Sequence, residues 1–167
     1  DAFIVQDLGV VELCRQIAPR VPIHGSTQMT VHSLPGVLLC AAWGLTRVVL
    51  SRELSREEIR HICENSPIEI EVFGHGAQCV AVSGQCLFSS MIGGRSGNRG
   101  RCAQPCRLPY TYQGENAAWL SPRDVCMRDD LPALVKAGAC SVKLEGRLKR
   151  PEYVATIAAS YRKGIDL

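Results

Sequence analysis

The chain has 167 residues, of which 46% are hydrophobic and 21% are charged, and its formal net charge is +3. This composition is ordinary for a globular protein and excludes an intrinsically disordered chain. No run of residues approaches the roughly 20 apolar residues of a membrane-spanning helix, so we expect no membrane association.

Short β-branched runs alternate with helical patterns along the chain, and each type of element is predicted five times. The predicted strands are residues 2–6, 23–28, 47–50, 68–73 and 141–145. The predicted helices are residues 8–18, 33–44, 55–64, 124–137 and 152–163. This alternation predicts parallel strand pairing with helical crossovers, which occurs in an open doubly wound sheet or in part of an eight-stranded barrel.

Polar side chains at the ends of the predicted strands favour the barrel, because sites are built at that rim. No GxGxxG motif follows the first strand, which weakens the doubly wound alternative. The predicted fold class is therefore α/β: a partial (β/α) TIM-like barrel of parallel strands with a Gly/Cys-rich irregular insertion. Five strands cannot close such a barrel, and the chain opens inside a strand without an initiator Met. We therefore expect a fragment that lacks the N-terminal part of its own barrel.

The insertion is predicted at residues 74–121, where regular patterns stop. It contains Cys79, Cys86, Cys102 and Cys106, and Cys126 follows shortly after it. No Asp or Glu occurs within residues 72–114, whereas four arginines do: Arg95, Arg99, Arg101 and Arg107. Positive surroundings stabilise thiolates, which are the ligands of soft metals.

The cysteine spacing leaves three interpretations open. Structural zinc usually shows CxxC pairs, which are missing here, whereas an iron–sulfur cluster tolerates wider spacing. Unrelated buried or redox thiols are the third interpretation. Because the chain has nine cysteines and no secretory leader, metal ligands in a reducing, cytoplasmic compartment are predicted rather than a disulfide framework.

Several charged and histidine side chains outside the cysteines are candidates for catalysis or binding. His24 and His75 follow predicted strands, where each could serve a site or only anchor a loop. Lys143, Glu145 and Arg147 alternate, so they are expected on one face of the last strand, either at a site or in an internal ion-pair network. Arg52 and Glu53 are expected to brace that network. The four insertion arginines are expected to bind RNA phosphates or a dicarboxylate, or else cluster sulfurs and loop carbonyls.

The segment EVFGHGAQCVAVSGQCLFSSMIGGRSGNRGRCAQPCRLPY resembles the signature region of peptidase family U32, the collagenase-like peptidases. The flanking segments AFIVQDLGV, PIHGSTQM, RVVLSREL and SVKLEGRLKRPEYVA resemble the same family, so the resemblance covers almost all of the chain, residues 1–167, as the C-terminal part of one barrel domain. The GRSGNRGRCAQPCRLPY form is most similar to that of bacterial RNA hydroxylases. Three departures occur within these segments: Gly25, Gly74 and Gln78 replace residues that are usually small or apolar.

The resemblance implies an α/β-barrel-like domain with an oxygen-sensitive 4Fe-4S cluster. It implies oxygen-independent hydroxylation of an rRNA or tRNA base, with prephenate as the hydroxyl donor. Carried over by position, the cluster ligands are Cys79, Cys86, Cys102 and Cys126, with Cys106 as an alternative. Catalytic roles are expected for His75, His24, Lys143 and Glu145. Substrate binding is expected of the insertion arginines and Arg147.

Two other functions stay open from the sequence. The first is proteolysis, as the family name suggests, although no Ser/His/Asp or Cys/His/Asn motif is recognisable. The second is a non-enzymatic RNA-binding module stapled by zinc or a cluster.

Overall fold

A computed structural model of the protein describes residues 1–146 and 149–166. Its main elements, in chain order, are β1 (Phe3–Val5), α1 (Leu8–Ile17), β2 (Ile23–Gly25), α2 (Leu34–Ala42), β3 (Arg47–Val49), α3 (Arg56–Asn65), β4 (Glu69–Gly76), α4 (Phe88–Gly93), β5 (Tyr110–Tyr112), β6 (Glu115–Ala117), β7 (Val125–Cys126), α5 (Leu131–Ala137), β8 (Ser141–Leu144) and α6 (Pro151–Ile165). Short 3-10 helices occupy Thr27–Met29, Pro105–Arg107 and Arg128–Asp130.

The main sheet follows chain order. The strands β1, β2, β3, β4 and β8 pair in that sequence, and every one of these pairings is parallel. This order is the one a barrel requires, whereas a doubly wound sheet reverses its order at a switch point. Within residues 1–146 and 149–166 the sheet does not close. The fold shown is therefore mixed α/β with a parallel sheet, and the barrel itself stays a prediction.

The hydrophobic core lies between the sheet and the helices that cover one of its faces. Strand side chains there pack against helix side chains, and the core includes Ile23, Val48, Ile70, Val72, Val11, Val37, Ile59 and Ile62. Because successive strand side chains point to opposite faces, the alternate residues of the same strands lie on the other face. That second face carries charge, which makes it suited to a site rather than to a core.

The helices begin where the sequence places capping residues. The side chains of Asp7, Ser33 and Ser55 accept backbone N–H bonds at the starts of α1, α2 and α3. Ser55 and Glu58 form a reciprocal capping box, as the SREE sequence predicts. Within the described residues no helix is long and apolar enough to cross a membrane.

Three predicted boundaries were wrong. The helix predicted at 124–137 begins only at Leu131, because Val125 and Cys126 form an antiparallel bridge with the end of β4. The strand predicted at 23–28 ends at Gly25, where Ser26 caps a 3-10 turn. The insertion predicted as irregular contains α4 and a β5–β6 hairpin, and β4 itself extends to Gly76.

Candidate metal centre

A cavity of about 140 Å³ lies at the carboxyl edge of the parallel sheet, covered by the insertion. Residues that follow β2, β3, β4 and β8 form its base. Its upper part is formed by the insertion, which contributes four cysteines to the lining: Cys79, Cys86, Cys102 and Cys106. The fold thus brings together thiols that are up to 27 positions apart in the chain, from Cys79 to Cys106.

The first part of the insertion is fixed to the loops below it by specific contacts. Ser83 is 1% exposed, and its backbone N–H and hydroxyl donate to Glu53 Oε1 at 2.7 and 2.8 Å. The Thr30 hydroxyl donates to the Ser83 carbonyl at 2.7 Å. Gly84 has a φ of +80°, and a Cβ there would lie 2.5 Å from the Gln28 carbonyl oxygen. Only glycine permits this close approach of two loops.

Arg52 connects the sheet to the first cysteine. Its Nη1 donates to Cys79 Sγ at 2.9 Å and to the Ala77 carbonyl at 3.2 Å. The guanidinium lies 4.1 Å from the ring centroid of Phe73, and the Arg52 carbonyl accepts from Gln78 Nε2. Two buried polar atoms beside the cavity, Arg52 Nε and Gln78 Oε1, have no hydrogen-bond partner among the residues that the structure describes. The cavity is therefore equipped to bind a polar group.

Burial is the main influence on the pKa of two cavity thiols, Cys79 and Cys106. It raises the pKa of Cys79, and the Arg52 guanidinium offsets this rise only in part. It also raises the pKa of Cys106, which Arg107 partly offsets and the other three cavity thiols reinforce. Arginines thus lower the pKa of both thiols against the effect of burial, whereas the other three insertion arginines, Arg95, Arg99 and Arg101, are exposed.

The cavity thiols come from separate segments of the insertion. In the described part of the chain, no group of three or more His, Cys, Asp or Glu side chains is arranged to hold one metal ion. An iron–sulfur cluster spans several ångströms and takes one thiolate per iron, so thiols from separate segments suit it better than they suit zinc. Four cysteine thiolates are also the usual donor set of such clusters.

Cys126 lies at the same edge but is not part of the cavity lining. It pairs with His75 across β7 and β4, and its Sγ lies 3.9 Å from the Tyr161 hydroxyl. Burial and the hydrogen bond to Cys126 raise the pKa of Tyr161 above its ordinary range. His75 Nδ1 lies 3.4 Å from the same hydroxyl, and its ring packs between Tyr153 and Tyr161. His75 is thus held by aromatic rings beside Cys126 and does not line the cavity.

The charged face of the sheet forms an ion-pair network below the cavity. Arg47 bonds Glu69 at 2.6 Å and Glu71 at 3.4 Å, and Lys143 Nζ lies 3.3 Å from Glu71. Glu71 is only 8% exposed, and a buried carboxylate needs a cation nearby. Arg47 and Lys143 supply that positive charge from two sides. His24 lies beside this network, and burial together with Arg47 lowers its pKa.

The remaining predicted residues are divided between the cavity, the surface and an undescribed segment. Glu145 lines the cavity and accepts from the Ala77 N–H at 2.6 Å. Arg107 also lines the cavity, but it is engaged by Asp124 at 2.9 Å and by the Gln78 carbonyl at 3.2 Å. The other three insertion arginines, Arg95, Arg99 and Arg101, are exposed. Arg147 lies outside the described residues.

Sequence reasoning assigned Arg52 and Glu53 too small a role. They were expected to brace the Lys143 network, yet Arg52 contacts Cys79 and Glu53 holds Ser83. The available signal was their position directly after β3, because residues at that point lie at the edge where the cavity forms. What the sequence could not indicate was the path of the insertion over this edge.

Known proteins resemble this chain over almost its whole length. The sequence profile described as peptidase family U32 matches residues 1–167. The tRNA hydroxylation protein P1 of Bacillus subtilis is 43% identical over 98% of this chain and 42% of its own length. The 23S rRNA 5-hydroxycytidine C2501 synthase of Escherichia coli is 43% identical over 99% of this chain and 26% of its own length. A collagenase of Porphyromonas gingivalis is 33% identical over 99% of this chain and 44% of its own length. The chain thus spans less than half the length of these relatives.

One solved structure supports the fold. The thiamine phosphate pyrophosphorylase of Pyrococcus furiosus superimposes with a TM-score of 0.52 at 14% identity, over 99% of this chain and 67% of that one. At this identity the similarity concerns the fold alone.

Proposed function

The chain belongs to peptidase family U32, and we propose that it is an iron–sulfur enzyme that hydroxylates a base of tRNA or rRNA without molecular oxygen. The observation that carries the proposal is the convergence of Cys79, Cys86, Cys102 and Cys106 on one cavity at the carboxyl edge of the sheet. The names of two relatives, a tRNA hydroxylation protein and an rRNA hydroxycytidine synthase, support an RNA substrate.

Three thiols are common to every version of the ligand set: Cys79, Cys86 and Cys102. The fourth is Cys126, as the family resemblance implies, or Cys106, which lines the same cavity. When bound, a 4Fe-4S cluster would supply an iron that acts as a Lewis acid or electron relay toward the hydroxyl donor. Prephenate is the donor that the resemblance implies.

The protein's own side chains would prepare the cavity for these reactants. Arg52 orients Cys79 through its hydrogen bond to the sulfur, and Glu145 fixes the turn that precedes that cysteine by holding the Ala77 N–H. Arg52 Nε and Gln78 Oε1 can bind polar groups of the donor or of the base. The RNA base would have to leave its stack to reach this enclosed position.

Anaerobic purification followed by iron and sulfide analysis tests the proposal. We expect a brown protein with about four iron atoms per chain. Serine substitutions at Cys79, Cys86 and Cys102 should each abolish iron binding. Comparing Cys106→Ser with Cys126→Ser identifies the fourth ligand. Cys140→Ser is the matched control, because Cys140 is exposed at the start of β8 and does not line the cavity.

RNA analysis completes the test. RNA incubated with the iron-loaded protein and a hydroxyl donor under anaerobic conditions should gain one oxygen atom on a base, detectable by mass spectrometry of nucleosides. A colourless protein with one zinc ion and no hydroxylated base would contradict the proposal and favour the non-enzymatic RNA-binding module.

Hydrolysis is the second candidate, favoured by the collagenase named among the relatives. It requires a nucleophile activated by a base. Within the described residues, no Ser or Cys side chain hydrogen-bonds a histidine ring, and His75 is engaged by Tyr161. Cleavage of casein or collagen by metal-free protein would support hydrolysis over hydroxylation.

A further inference from the structure

The β5–β6 hairpin stands apart from the main sheet as a two-stranded unit. Its turn residues Gln113 and Gly114 both have positive φ, at 50° and 81°, which is the pattern of a type I′ turn. An isolated hairpin is marginally stable, so it needs anchoring at its ends. Arg107 provides this by donating to the Ser121 hydroxyl at 2.9 Å and to the Pro122 carbonyl, and the Tyr110 hydroxyl donates to the Pro105 carbonyl at 3.0 Å.

Aromatic rings occupy one face of this hairpin. Tyr110 and Tyr112 point to the same side because they are two positions apart in one strand. Phe88, next to the cavity-lining Ser89, stacks on Tyr110 with ring centroids 6.4 Å apart. Farther out, Tyr112 and Trp119 meet edge to face at 6.3 Å. The aromatic face therefore begins beside the cavity and extends away from it.

The outer two rings are open to solvent. Tyr112 is 62% exposed and Trp119 is 47% exposed, and Leu108 and Leu120 nearby are exposed as well. Large aromatic side chains that stay exposed on a rigid, anchored hairpin mark an interaction surface rather than a core.

The charge around the hairpin indicates which partner fits. The segment leading to it carries the exposed Arg95, Arg99 and Arg101, and Arg95 Nε donates to the Arg101 carbonyl. Residues 72–114 contain no acid, and Glu115 is the only acid within residues 108–122. A hairpin with exposed aromatic rings that follows an arginine-rich segment offers the two side-chain types that bind single-stranded nucleic acid, with bases on the rings and phosphates on the cations.

We propose that Tyr112 and Trp119 form a stacking platform for unpaired bases of RNA, while Arg95, Arg99 and Arg101 contact the flanking phosphates. This inference rests on the proposed RNA substrate and locates its docking surface outside the metal centre. Bases stacked along this face would lead the strand toward Phe88 and the cavity, where the modified base is presented.

RNA binding by the anaerobically purified chain, with whatever metal it retains, tests the proposal. The probes are a fluorescent single-stranded RNA of about 12 pyrimidine nucleotides and a fully paired RNA duplex. We expect Tyr112→Ala and Trp119→Ala each to weaken single-strand binding about tenfold and to leave duplex binding unchanged. Trp119→Phe, which keeps an aromatic ring, should retain most of the affinity that Trp119→Ala loses. Arg95→Ala should weaken binding to both probes and reduce its salt dependence.

The opposite face of the same hairpin supplies the matched control. Thr111 and Asn116 pair across the strands and point away from the aromatic face, so Thr111→Ala and Asn116→Ala should bind RNA as the parent does. The proposal is overturned if the aromatic variants bind single-stranded RNA as tightly as the parent does, or if the control and aromatic variants lose the same amount of RNA affinity. It is also overturned if the parent binds no RNA. Selective capture of a protein partner with no RNA binding would overturn it too. Because the readout is binding, and aromatic and control variants are compared in the same preparation, these outcomes are distinguishable from the iron and hydroxylation results.

Discussion

At the scale of single residues, Arg52 shows how one side chain can join fold and site. Its guanidinium packs on Phe73 within the sheet and donates to Ala77 and Cys79 in the loop above. A cation stacked on an aromatic ring is held in one orientation, because few rotamers satisfy both contacts. The Arg52 guanidinium therefore connects Cys79 directly to the sheet.

Replacing Arg52 tests this dependence. Arg52→Gln removes the charge-assisted bonds to the Ala77 carbonyl and Cys79 Sγ, so we expect a loss of about 1–3 kcal/mol in the free energy of unfolding. We also expect lower iron occupancy after anaerobic loading. Urea unfolding and iron analysis measure the two effects. Arg60→Gln, at an exposed position of α3, is the control and should change neither quantity. Full iron occupancy in Arg52→Gln would show that the hydrogen bond from Arg52 is not needed to hold Cys79 in a position to bind iron.

At the scale of elements, Gly74 shapes the end of β4. The pairing of β4 with β8 is irregular between Phe73 and His75, so Gly74 lies at the break. The Gly74 carbonyl accepts from the Tyr161 hydroxyl at 2.6 Å and from the Met127 N–H at 2.9 Å. This junction joins β4, β7 and α6, and thereby places His75 opposite Cys126.

The substitution Gly74→Ala probes that junction. A Cβ there would collide with Cγ1 of Val142 and lie 3.3 Å from Cε1 of Tyr161. Because both neighbours are held in the packed sheet and helix, we expect a loss of about 1–3 kcal/mol in stability, measured by thermal or urea unfolding. Gly93→Ala is the matched control: no atom lies within 4 Å of its Cβ position, so its effect should be neutral or slightly stabilising. Equal effects of the two substitutions on stability would mean that β8 and α6 shift to accommodate the added methyl group without loss of stability.

At the scale of the whole molecule, the repeating βα pattern could be predicted because it depends on local signals. Alternating apolar residues and capping side chains such as Asp7 and Ser55 are visible in the sequence. They predicted the alternation of strands and helices, from which the parallel sheet was inferred. The bridge between β7 and β4 was missed, because Val125 and Cys126 give no local strand signal. A metal centre at the insertion cysteines was predicted from their clustering in an acid-free segment, and the family resemblance supplied the ligand set. Contacts such as Gly84 against Gln28 join distant loops and leave no periodic trace in the chain.

The architecture divides the molecule into a sheet-and-helix body with an apolar core and an insertion with few buried apolar residues. The buried hydrophobic residues lie in the body, whereas the insertion is fixed by polar contacts and, in our proposal, by its cluster. A ligand that binds only the folded form stabilises it, so removal of iron should loosen the insertion selectively. We expect trypsin to cleave the iron-stripped protein first after Arg95, Arg99 and Arg101, and the iron-loaded protein much more slowly there. Mass spectrometry of timed digests measures this, with cleavage after Arg60 in α3 as the internal control that iron should not affect. Equal cleavage rates at the insertion with and without iron would show that polar contacts alone hold the insertion in place. They would contradict a stabilising role for a cluster.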